Sequence, residues 1–212
     1  MNSFYLFAFA SAASAIVPIA VKTFITRKEF SVYDVLIVLS FISIATDAVC
    51  FIYSQNKTNN WPFINLFLIF QVLILFFVLY QYNKRNWAFV FLIFFICFAG
   101  YNYYWFYDQI SMHTATNYIG SAFLIAFAFD CIDKIMVELP VENIYDHPIY
   151  WICCSVFLYF TGNFFPFLFN NQYLELNLMD MRAHWVIHNF LNICKNVCFA
   201  LALWMNYRMR LS

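Results

Sequence analysis

Residues 182–208 read RAHWVIHNFLNICKNVCFALALWMNYR. Within them, 183–206 form a mostly apolar run, longer than the roughly 20 residues a helix needs to cross a bilayer core. The run nevertheless carries His184, His188, Asn189, Asn192, Lys195 and Asn196. On a helix turning about 100° per residue with His184 at the origin, Lys195 falls near 20°, His188 near 40° and Asn192 near 80°. Asn196 and Asn189 follow at about 120° and 140°. The six groups share one stripe, and Val186, Ile187, Phe190, Ile193, Cys194, Val197, Cys198 and Leu201 fill the rest. A helix of this kind is expected to turn its polar stripe towards other helices or a wet cavity and its apolar remainder towards lipid.

The whole chain has the same character. Of its 212 residues 65% are hydrophobic, 24% aromatic and only 10% charged, against about 45–50% apolar and about 25% charged in a soluble domain. That composition excludes a soluble globule, a disordered chain and a basic nucleic-acid binder, so no nucleic-acid partner is expected. Seven cysteines all lie in apolar runs with no CxxC pair, which reads as small buried thiols and excludes a disulfide-stapled module. Seven runs are long enough to span, at about 3–21, 32–54, 61–82, 87–107, 113–134, 149–169 and 183–206. They are far longer than the alternating segments of about ten residues that build a barrel. No linker divides them. The fold class is therefore all-α, a polytopic membrane protein whose seven helices form one transmembrane domain over 1–212.

Orientation follows from the basic residues at the run ends. Lys22, Arg27, Lys28, Lys84, Arg85, Lys134, Arg208 and Arg210 fall on one side, and Lys57 and Arg182 on the other. The N-terminus is accordingly expected outside and the C-terminus in the cytoplasm. The first run reads as a retained span, because no Lys or Arg precedes its apolar core. Pro18 and Pro166 are expected to bend their helices. Asp130, Asp133 and Lys134 read as a hydrated helix end with a local ion pair.

An ionisable group in hydrocarbon costs roughly 2.5–3.5 kcal/mol on insertion scales. Asp47, His184, His188 and Lys195 are such groups, and Gln71, Asn102, Asn117 and Asn163 add amides. Lys195 lies about 13 residues, or roughly 20 Å, along its span, too deep to snorkel easily. With the orientation above, Asp47, His188 and Asn163 all lie in the outer half of the bundle. The expected site is an outward-facing polar pocket walled by Asp47, Gln71, Asn163, His188 and Asn192, with Lys195 at its floor. The competing reading is a buried polar network that fixes helix packing.

DHPIYWICCSVFLYFTGNFF (Asp146 to Phe165) and WVIHNFLNICKN (Trp185 to Asn196) resemble small seven-span membrane proteins of Bacteroidota-type bacteria, some associated with two-component signalling. The resemblance implies a bacterial cytoplasmic (inner) membrane and a signalling partner. His184 and His188 form HxxxH, and Ser43 and Asp47 form SxxxD. These resemble the alkaline ceramidase and adiponectin-receptor hydrolases, which implies a zinc site on His184, His188 and Asp47 acting on a lipid amide or ester. The second span lacks the histidine of that pattern, and Trp61, Pro62 and Phe63 stand where its acid belongs.

No loop exceeds about a dozen residues, so function must reside in the bundle, on short loops or in a partner. The leading expectation is a receptor-like or sensory protein, not an enzyme. It would bind a small molecule in the outer pocket and act through a cytoplasmic or membrane partner. No cofactor is expected on this reading. The alternatives are the zinc hydrolase and a small-solute transporter using Asp47, Lys195 and the histidines. A buried lysine also suits a retinal Schiff base, but the third span offers no acidic counter-ion.

Overall fold

A computed structural model of the chain describes residues 3–25, 31–56, 58–105, 114–138, 143–164 and 178–211. Among them there is no strand, and the chain runs through seven helical rods. The first is α1 (Ser3–Ser14) and α2 (Ile16–Phe24), broken at Ala15. Pro18 lies three residues beyond the break. It has no N–H to give the Ser14 carbonyl, and its ring crowds that turn. Pro166 lies outside the described residues.

A 3-10 turn (Val32–Asp34) leads into α3 (Val35–Gln55). Then come α4 (Trp61–Tyr82), α5 (Asn86–Trp105) and α6 (Thr114–Glu138). The sixth rod starts as α7 (Pro148–Val156) and widens into a π-helical turn over Phe157–Thr161. The seventh is α8 (Leu178–Met209).

Five stretches are long and apolar enough to cross a membrane: Leu6–Phe24, Val32–Gln55, Trp61–Tyr82, Asn86–Tyr104 and Trp185–Met209. The expectation of seven such spans is thus met by five. The other two rods differ for identifiable reasons. The last third of α6 carries Asp130, Asp133, Lys134 and Glu138, and the sixth rod is described only as far as residue 164.

The core lies where α4, α6 and α7 meet. Leu75, Val78 and Leu79 pack there with Leu124, Phe127, Cys131, Ile149, Ile152 and Val156. Gly120 lets α6 approach α4, because a Cβ there would stand 2.9 Å from Val72 Cγ2. α8 lies against α7 on one flank and α1 and α2 on the other. This position corrects one detail of the sequence reading. Ile187, Phe190 and Val197 do face outward, but Cys198 is buried because α8 is covered on both flanks.

At the basic end several of the charges are paired. Arg85 Nε approaches Asp130 at 3.4 Å, and Asn83 donates to the same carboxylate at 2.8 Å. Lys134 donates to the Tyr82 carbonyl and pairs with Glu138 at 3.8 Å. The ion pairs at the end of α6 are thus Arg85–Asp130 and Lys134–Glu138, and Asp130 and Asp133 do not supply the partner of Lys134.

Candidate functional site: a polar cluster around Lys195

Lys195 is 2% exposed although it stands near the middle of α8. Its ammonium lies 4.3 Å from the centroid of the Tyr159 ring and 5.8 Å from that of Phe67. It makes no ion pair with any described residue. Cation–π contact replaces part of its lost hydration, but a buried cation is fully compensated only by an anion or several acceptors.

The nearest charge of opposite sign is Asp47 on α3, within electrostatic reach of both Lys195 and Tyr159. Asp47 is exposed, and its place on the helix shows what it is exposed to. Leu36, Leu39, Ser40 and Ser43 form the buried stripe of α3. Taking Leu36 as origin at about 100° per residue, Asp47 falls near 20°, in the middle of that stripe. The exposed apolar residues Phe41, Ala45, Ala48 and Ile52 fall at about 120–180°, on the opposite side. Asp47 therefore lies on the inward stripe of α3 and yet remains exposed.

Gln71 of α4 is fully buried, with neither amide atom in a hydrogen bond to a described residue. The Tyr159 hydroxyl stands beside it, outside strict hydrogen-bonding geometry. On α6, Asn117 Nδ2 and the Tyr118 hydroxyl are also buried without partners among the described residues.

The opposite wall is better satisfied. Asn163, fully buried, donates through Nδ2 to the Tyr159 carbonyl at 2.7 Å. Its Oδ1 lies 2.9 Å from His188 Nδ1. The His188 ring meets Tyr159 edge-on at 5.7 Å. The π-turn makes this wall, since a widened turn shifts the side-chain register and frees a main-chain carbonyl. Gly162 brings it close to α8, where a Cβ would stand 2.5 Å from Leu191 Cδ1.

Asn192 belongs elsewhere. It donates to Ser11 Oγ at 2.9 Å, and Asn196 donates to Ser14 Oγ at 2.8 Å. These bonds form a polar seam between α1 and α8, the helix-joining role that amides commonly take in membranes. The structure thus brings Asp47, Gln71, Asn163, His188 and Lys195 around Tyr159 and turns Asn192 away. Tyr159, Phe67 and the two serines were missed from sequence. The SxxS spacing of Ser11 and Ser14 offered a signal for the seam. Nothing distinguished Tyr159 from the other tyrosines.

For the zinc reading, the His184 side chain lies outside the described residues. Among the described residues no three His, Cys, Asp or Glu side chains gather as a metal site. His188 Nδ1 is engaged by Asn163.

At the far end of α8 a cleft of about 20 Å³, room for a water molecule, is lined by Lys22, Ser31, Asp34, Asn206 and other residues. Lys22 meets Asp34 at 2.8 Å, the Ser31 N–H donates to Asp34 at 2.7 Å, and Asn206 donates to Ser31 Oγ at 3.2 Å. This paired cluster clamps α2, α3 and α8 together. No protein family, curated protein or solved structure matches the chain.

Proposed function

We propose that this chain is a receptor-like integral protein of a bacterial cytoplasmic membrane, with its N-terminus outside and its C-terminus in the cytoplasm. A small polar ligand enters a crevice between Asp47 and Lys195 from outside. A partner protein reads the resulting change in helix packing. The observation that carries this reading is Asp47, which lies on the buried stripe of its helix yet is open. A residue that only glued helices together would be covered, as Asn163, Asn192 and Asn196 are.

The route to a partner also favours it. α8 runs from the crevice to the clamp, where Asn206 bonds Ser31 and Arg208 lies 3.9 Å from Asp146. A shift of α8 at Lys195 would reach both contacts. The test is side-specific labelling. In a background with the native cysteines replaced, Asp47→Cys should react with a membrane-impermeant thiol reagent added outside intact cells. Ala45→Cys and Ala48→Cys should not. Reaction of Asp47→Cys only after permeabilisation, or no reaction at all, would overturn the reading.

A further inference from the structure

We infer that the occupant of the crevice is a small zwitterion, whose carboxylate meets Lys195 and whose ammonium meets Asp47. This rests on the receptor-like reading and names the ligand class of the same site. The crevice presents one cation and one anion within electrostatic reach of each other but not in contact. The cation is buried on aromatic faces and the anion stands at the open side. The site therefore offers one acidic and one basic side chain to a single occupant.

A ligand with one charge would compensate one residue and leave the other facing an uncharged group, at the penalty that burial imposes on unpaired charge. A zwitterion of opposite sense compensates both. Gln71 is the second observation, because its buried amide has the Tyr159 hydroxyl beside it but makes no hydrogen bond of good geometry to any described residue. Unpartnered buried polar atoms are rare in folded proteins, and a partner from outside the chain is one way to satisfy them. Its Nε2 can donate to the same carboxylate that Lys195 holds, while its Oε1 can accept from an ammonium. Tyr159 and Phe67 shield the Lys195 end from competing hydration.

The test uses full-length protein in detergent and the series glycine, β-alanine, γ-aminobutyrate and 5-aminovalerate, with butyrate and butylamine as single-charge controls. Binding is read by calorimetry. One zwitterion of the series should bind best, because its length fixes the charge separation, and both controls should bind at least about tenfold more weakly, the scale of one charge-assisted hydrogen bond. Asp47→Asn should lose the zwitterion's advantage over butyrate. Lys195→Met should lose its advantage over butylamine, and Lys195→Arg should retain binding should the Met variant fail to fold. Equal binding of zwitterion and controls, no binding by any member, or equal response of both variants to both controls overturns the proposal. If Asp47→Cys still labels from outside, only the ligand class has failed. If it does not, the crevice itself has failed, and this inference with it.

Discussion

His147 shows how one side chain sets both a local structure and a pH response. It is buried, and its Nδ1 accepts the Ile149 N–H at 3.3 Å, capping α7 where Pro148 begins the helix. Its ring lies 5.1 Å from that of Tyr82. Burial lowers its pKa below the ordinary value near 6.5. The folded state then binds fewer protons than the unfolded chain, so this contribution to stability is complete above about pH 6.5 and is lost as pH falls through the folded pKa. Protonation also removes the acceptor that caps the helix. Thermal unfolding in detergent should show a Tm that drops below pH 6.5 in the wild type, and a shallower drop in His147→Asn, which keeps a capping acceptor without titrating. Equal slopes would remove His147 from the pH response. At this scale, residues were legible from sequence when chemistry set them apart. Lys195, Asp47 and His188 stood out because charge is rare in an apolar run. Tyr159 did not, because an aromatic residue in this chain carries no contrast.

Elements were legible through length and periodicity. The stripe computed for the last helix correctly buried Asn192, Lys195 and Asn196, because a regular helix fixes relative angles. The direction of each part of the stripe was not legible, since it depends on where α1 and α7 lie. Asn192 consequently faces α1, and Cys198 is covered. The π-turn was hidden as well, because FLYFT has no residue that demands a widened turn. Its contact with α8 is testable. A side chain at residue 162 must displace Leu191, so Gly162→Val should destabilise the protein by about 1–3 kcal/mol, the usual range for overpacking. Leu191→Ala should recover part of that loss in the double variant, as measured by unfolding in mixed micelles. Additive effects of the two substitutions would mean that the helices do not meet there. The Ser11–Asn192 and Ser14–Asn196 bonds lie on the other flank of α8 and should be untouched.

For the whole molecule, composition pointed to lipid before any residue was placed, and five of the described helices are long and apolar enough to cross a membrane. The exposed Phe41, Ile52, Phe94, Phe190 and Val197 give the described helices an apolar outer surface of the kind lipid covers. The number of helices was legible from the polar breaks between runs. Helix-to-helix adjacency was not, because side-chain periodicity orients a helix without naming its neighbour. The central claim is that α3 has two accessible faces in different media, lipid on one and water on the other. Spin labels introduced by Phe41→Cys, Ala45→Cys, Asp47→Cys, Ala48→Cys and Ile52→Cys in reconstituted bilayers measure this through collision with oxygen or a water-soluble nickel chelate. The account predicts that the label at 47 collides with the chelate, while labels at 41, 45, 48 and 52 collide with oxygen. Oxygen collision at 47 like its neighbours would contradict the crevice, and chelate collision at all five would contradict the membrane.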